Sequence, residues 1–224
     1  MKIGRKITFE ETYFDGYNNP DVLYWIGFIA ADGNVMNKRE SRSYFLTINL
    51  KVDDFSHLDK FKNALKSNVK ITKHVSKGGF RANKQWKDSE TCRIVLNSKY
   101  LVNSLEKFNI VPAKSHIYDF PIILYNNDNI NSFIRGYFDG DGCVSFRKNR
   151  LRLNFYGTSN FLVKIGEIIA ENCNISMHRP FKNRTIYNLE YNGKEAVILV
   201  KWLYQNVNEK TILNRKYELI KDIL

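Results

Sequence analysis

Two stretches of this chain are apolar nearly all round, whereas most of the remainder alternates. Residues 22–31 read Val-Leu-Tyr-Trp-Ile-Gly-Phe-Ile-Ala-Ala, and residues 133–142 read Phe-Ile-Arg-Gly-Tyr-Phe-Asp-Gly-Asp-Gly. Each carries small residues four apart, Gly27/Ala31 and Gly136/Gly140, and each runs into Asp-Gly, at Asp32-Gly33 and Asp141-Gly142. The two copies lie 109 residues apart (136 − 27, and again 141 − 32). A helix without a polar face is a buried helix. Glycine inside it costs about 1 kcal/mol against alanine, so a packing reason is required. Small residues spaced by four make a flat stripe on which a second helix can lie closely. The two segments are therefore predicted to be helices packed on each other. Asn19 and Pro20 supply the N-cap and first position of the earlier one. Gly33 and Gly142 are expected as left-handed caps at the C-terminal ends.

Outside these helices a common order appears twice. After Gly33, strands are predicted over 34–38 and 44–51, where Tyr44, Leu46, Ile48 and Leu50 alternate with Phe45, Thr47, Asn49 and Lys51. An amphipathic helix follows over 53–67, then strands over 69–76 and 91–97 around a basic loop with Lys77, Arg81, Lys84 and Lys87, then a helix over 99–108. Residues 113–124 read as extended, and 126–131 as linker and helix start. The second pass gives strands 144–148 and 151–156, helix 159–172, strands 177–181 and 185–191, and helices 193–205 and 211–224. The expected fold is α+β. Two pseudo-symmetric αββαββα halves, 1–125 (with an N-terminal arm) and 126–224, form a saddle of two antiparallel sheets around a central helix pair.

Charge narrows the partners. Lysine and arginine number 35 against 23 acidic residues, a net charge of +12 spread along the chain, which favours a polyanion, nucleic acid first. No apolar run is long enough to cross a bilayer, and the N-terminus lacks the apolar run of a signal peptide. The three cysteines, Cys92, Cys143 and Cys173, share no CxxC spacing and fit a reducing, intracellular compartment. The four histidines form no ligand pair, which argues against zinc.

The candidate chemistry sits at the helix ends. Asp32 and Asp141 occupy last turns, where the helix dipole disfavours a carboxylate by about 0.3–1 kcal/mol, and helix pairing brings them together. A divalent cation with oxygen ligands would offset that charge. Two carboxylates suit Mg²⁺, with Mn²⁺ or Ca²⁺ as substitutes in binding. The outward strand positions Thr47, Asn49, Lys51, Arg150, Arg152, Asn154 and Tyr156 carry side chains of the kind that read base edges. Basic turns flank them: Lys38, Arg39 and Arg42; Lys77, Arg81 and Lys84; Arg147, Lys148, Arg150 and Arg152; Lys182 and Arg184. Such turns would meet phosphates on both sides of a groove.

With both motifs and their flank Tyr13-Phe14-Asp15, the chain resembles the LAGLIDADG homing endonucleases, in the form that carries two motifs on one chain. That resemblance implies double-strand cleavage of a long, partly degenerate DNA target across the minor groove, by a monomer acting as a pseudo-dimer, in intron or intein mobility. It implies metal binding at Asp32 and Asp141, with Ala31, Gly33, Gly140 and Gly142 beside them. It also implies active-site roles for Lys114 and Lys216, although their offsets from the aspartates differ, 82 (114 − 32) against 75 (216 − 141); from sequence alone each lysine reads as a surface charge. Ala30 stands where the second copy has Asp139, so Asp139 is expected to bond across the helix pair or to cap backbone amides. The chain lacks Cys or Ser at position one and a terminal His-Asn, which points to a free-standing or intron-encoded enzyme over an excised intein. The alternative is a binder on the same scaffold, an RNA maturase or a non-cleaving DNA-binding protein.

Overall fold

The computed structural model describes residues 7–38, 43–81 and 84–224. Arg39 and Arg42 lie outside the described residues. A 3₁₀ turn at Tyr13–Gly16 leads into helix α1 (Pro20–Asp32), capped by the Asn19 side chain, which accepts from the Asp21 amide at 2.8 Å. Then come strands β1 (Gly33–Lys38) and β2 (Ser43–Lys51), helix α2 (Phe55–Ala64) and strands β3 (Thr72–Ser76), β4 (Gly79–Arg81), β5 (Lys84–Trp86) and β6 (Ser89–Asn97). Helix α3 (Lys99–Glu106) closes the first half. The second half runs α4 (Ile130–Asp141), β7 (Gly142–Arg147), β8 (Arg150–Gly157), α5 (Ser159–Cys173), β9 (Phe181–Asn183), β10 (Ile186–Asn192), α6 (Gly193–Leu203) and α7 (Asn214–Tyr217).

Two four-stranded antiparallel sheets result, ordered β1-β2-β6-β3 and β7-β8-β10-β9, so the halves share one topology. Helices α1 and α4 pack on each other at the centre, and each also touches the first two strands of its own half. The glycine stripes set this crossing. A Cβ on Gly27 would fall 2.0 Å from the Phe133 carbonyl oxygen, and one on Gly136 would fall 1.9 Å from that of Tyr24. Leu23, Tyr24, Ile26, Phe28 and Ile29 of α1, with Phe133, Ile134 and Phe138 of α4, are wholly buried around that contact. Each such side chain contributes about 1.5–3 kcal/mol.

Several expectations need correction. Gly33 (φ −76°) and Gly142 (φ −89°) are extended, not left-handed, and each opens a strand. They are glycines for space: a Cβ would lie 2.6 Å from the Ile29 carbonyl oxygen at Gly33 and 2.4 Å from that of Phe138 at Gly142. The loop after β3 contains the additional hairpin β4–β5. The strand expected over 177–181 starts instead at Phe181, because Pro180 has no amide to give a ladder. The segment 113–124 is not extended but holds 3₁₀ turns at Lys114–His116 and Ile122–Leu124, entered through a left-handed Ala113 (φ 57°). The helix expected over 211–224 is broken into a 3₁₀ turn at Glu209–Thr211, the short α7 and a 3₁₀ turn at Lys221–Ile223. Its interruption has a cause: the Leu213 amide donates to the Asp139 carboxylate at 3.0 Å, so helical turns begin only beyond it.

Candidate functional site

Helix pairing brings the ends of α1 and α4 side by side. A Cβ on Gly140 would lie 2.4 Å from the Ala31 Cβ and 3.4 Å from Asp32 Oδ2. Asp32 is half-buried and Asp141 more exposed. Burial, and then the Asp141 charge, push the Asp32 carboxyl up to about 6, with Lys216, Lys114 and Arg215 pulling the other way. Burial raises Asp141 as well, opposed by Lys114 and Lys216. Among the described residues, neither carboxylate accepts a hydrogen bond or forms an ion pair. Two adjacent carboxylates that are costly to ionise and have no internal donor leave their oxygens open to a hard cation. Among the described residues no cluster of three or more His, Cys, Asp or Glu side chains accompanies them. The pair therefore suits a hard cation that completes its shell with water and a ligand's oxygens.

Two lysines are buried beside them, Lys114 at 6% and Lys216 at 3% exposure. Lys114 Nζ donates to the Gly33 carbonyl at 2.6 Å and to that of Ala31 at 3.4 Å. Lys216 Nζ donates to the carbonyls of Gly142 at 2.6 Å, Asp139 at 2.8 Å and Phe138. Gly33 and Gly142 are equivalent positions, so the lysines are too, despite their unequal offsets. The discrepancy arises in the connections, which differ in length and in turn geometry. Burial lowers both lysines, Lys216 to about 8, against the pull of nearby aspartates. The main-chain oxygens of Ala31, Gly33 and Gly142 are thus engaged by ammonium groups, whereas Gly140 lines an open cleft with Asp32.

Asp139 organises the second lysine's surroundings. It is wholly buried and accepts from Tyr24 Oη at 2.7 Å, Tyr204 Oη at 3.1 Å and the Leu213 amide. Tyr24 belongs to α1, so Asp139 bonds across the helix pair and also caps a backbone amide. His57 Nε2 sits 3.2 Å from the same Tyr24 hydroxyl, and burial holds its imidazole down at about 3, hence neutral. Arg135 is buried at 2% exposure, donates to the Leu203 carbonyl at 2.8 Å and stacks over Tyr24 and Tyr204. This network fixes the segment that carries Lys216.

The sheets turn polar faces outward beside the carboxylates. Register places Thr47, Asn49 and Lys51 on one face with Arg93, Thr72 and His74. Asp32 shares with Asn49 and Lys51 a cleft of about 370 Å³, so the carboxylate opens onto this face. Arg93, Thr72 and His74 were missed in the sequence, although Thr91, Arg93, Val95 and Asn97 alternate with Cys92, Ile94 and Leu96 just as the residues of β2 do. Lys38 ends β1; Lys77 is exposed beyond β3; Arg81 and Lys84 pair in register at the tip of β4–β5.

On the second sheet, Arg150, Arg152, Asn154 and Tyr156 share one face with Asn188, Glu190 and Asn192. Two depart from free presentation. Asn154 is buried and accepts from Asn188 Nδ2 at 3.0 Å, and Arg152 is held by Glu190 and Asn192. Lys182 pairs with Tyr187, which puts it on the opposite face of an edge strand. Lys148 (φ 49°) and Asn149 form a two-residue left-handed turn matched to strand twist, and Arg184 (φ 57°) sits in the next hairpin. Arg147 and Arg150 face each other directly in the ladder. Like charges so placed are destabilising, and an anion between them would reverse the sign.

Compared with solved structures, the chain superposes on the homing endonuclease I-WcaI bound to its DNA recognition sequence, with a TM-score of 0.64 and 14% identity, covering 93% of this chain and 91% of that one. It has the LAGLIDADG fold. The LAGLIDADG homing endonuclease I-GzeII, in complex with its DNA target, matches at TM-score 0.55 and 15% identity over 92% of this chain and 88% of that one. Full-length DUF199/WhiA from Thermatoga maritima matches at TM-score 0.50 and 15% identity over 96% of this chain and 72% of that one. No protein-family model matches. In sequence, a probable translation initiation factor IF-2 of Methanocaldococcus jannaschii is 29% identical over 142 residues, 55% of this chain. The matched region spans about 12% of that relative's length.

Proposed function

We propose that the chain is a site-specific DNA endonuclease that hydrolyses both strands of a duplex with Mg²⁺. The observation that carries this reading is the meeting of Asp32 and Asp141, without internal partners, between two buried lysines. The DNA-bound state of I-WcaI and I-GzeII supports a duplex as the ligand. Asp32 and Asp141 are the residues that would hold the metal, with Mn²⁺ or Ca²⁺ as substitutes in binding, and Gly140 lies at hand. A cation bound there supplies an activated water and stabilises the leaving oxygen.

The chain's own groups do the rest. Lys114 and Lys216, each pinned on a carbonyl, hold positive charge where the phosphate gains negative charge. The outward faces of the two sheets, with Asn49, Lys51 and Arg150 among their free side chains, take the grooves, and the basic turns take phosphates. Residues 1–125 and 126–224 act as two repeats, each serving one strand, so a monomer works as a pseudo-dimer on a long target in intron homing. The test is selection of cleaved sites from a random duplex pool with Mg²⁺, wild type against Asp32→Asn. Sites enriched by wild type alone support the endonuclease; identical pools, with binding intact, favour a non-cleaving binder.

A further inference from the structure

We propose that Arg215 is a phosphate-binding group of the Asp32 side of the site, held ready by Asp54 and acting on one DNA strand only. The proposal rests on the endonuclease reading above. Arg215 belongs to α7, yet reaches across to the first half. Its Nε donates to both oxygens of Asp54, at 3.1 Å to Oδ1 and 2.9 Å to Oδ2. Asp54 lies in the 3₁₀ turn Val52–Asp54 after β2; its side chain is 7% exposed, whereas that of Arg215 is 52% exposed.

A carboxylate fixed in the protein therefore grips the guanidinium by its inner nitrogen. The two terminal nitrogens donate to nothing among the described residues. A planar fork anchored on one side and open on the other fits the oxygens of a phosphate. The opening is the cleft by Asp32, which Arg215, Asp54, Asp53, Lys51 and Gly140 also line. Fork and carboxylate address the same space.

Among the described residues, the position equivalent to Arg215 offers Asp141 no counterpart. The equivalence of Lys114 and Lys216, fixed by the carbonyls they hold, makes Ala113 the partner of Arg215, and Ala113 is left-handed with no charge to offer. The two halves are thus unequal in phosphate-binding charge, and that inequality should appear between strands.

A selected duplex carrying a different fluorophore on each strand is cut under single-turnover conditions. In Arg215→Gln one strand should slow by about a hundredfold, the other should keep its rate, and nicked duplex should accumulate. Arg215→Lys should restore part of the loss. Asp54→Asn should slow the same strand, and adding it to Arg215→Gln should cost nothing more. Equal slowing of both strands, or none, overturns the proposal while leaving the endonuclease reading intact. A wild-type protein that cuts neither strand overturns both. Melting of Arg215→Gln, an exposed substitution, keeps misfolding apart from the strand effect.

Discussion

Substituting Gly136 by alanine puts one methyl group into the tightest point of the helix crossing. The new Cβ would lie 1.9 Å from the Tyr24 carbonyl oxygen and 2.9 Å from the Phe28 amide nitrogen. A carbon–oxygen contact relaxes at about 3.3 Å, so the helices must part locally by more than an ångström. Neither obstacle can rotate away, because both are main chain. Overpacking costs about 1–3 kcal/mol in general, occasionally more, and a rigid obstacle belongs at the upper end. Alanine's better helix propensity returns about 1 kcal/mol. The net loss is then about 2 kcal/mol or more, a fall of about 4–8 °C in Tm for a chain of this size. Gly16→Ala is the control, since its nearest neighbour is the Val22 Cγ2 at 3.9 Å. Urea unfolding of the two variants measures the difference. Cleavage should fall further than stability, because Gly140, Ala31 and Asp32 lie along the same stripe. A Gly136→Ala protein within about 0.5 kcal/mol of the control would refute the close-packed crossing.

Asp32→Asn should abolish cleavage, keep DNA binding and stabilise the metal-free protein. Its folded pKa of about 6 exceeds the ordinary 3.8, so the ionised carboxylate costs stability above pH 6 and costs nothing below pH 4. The shift corresponds to at most about 3 kcal/mol, discounted to about 1–2 for partial exposure; urea unfolding at pH 8 should show the gain and at pH 4 should not. Metal affinity, followed by calorimetry, should weaken as pH falls through 6, by about tenfold per unit for one displaced proton; a flat profile from pH 7 to 5 would count against Asp32 as a ligand. DNA affinity should fall about 10³-fold or more between 50 and 200 mM salt if six or more phosphates are neutralised, and a shallow slope in a filter-binding titration would remove the basic faces from the interface.

The helix pair and the succession of helices and strands along the chain were legible because small residues at a spacing of four and alternation at a spacing of two are local signals. Asp32, Gly136 and the face of β2 follow from them directly. What stayed hidden depends on contacts distant in sequence. Gly33 looks like a left-handed cap, but it caps the helix in an extended conformation with Ile29 crowding it. The break in the terminal helix requires Asp139, 74 residues away, to claim the Leu213 amide. Equivalence of Lys114 and Lys216 could not be read from unequal offsets, because only the matching carbonyls of Gly33 and Gly142 that they hold define it. Asn154 keeps the outward parity of its strand, yet Asn188 covers it.

Asp139 carries a consequence for the origin of the chain. Its donors include Tyr24 of the opposite half, and the residue that matches Tyr24 in the repeat is Phe133 (24 + 109). A homodimer of the later repeat would leave that carboxylate one hydroxyl short, and a homodimer of the earlier one would have no such carboxylate at all. The two halves are thus unlike partners at this carboxylate, whose full set of donors exists only when the later half packs against the earlier one.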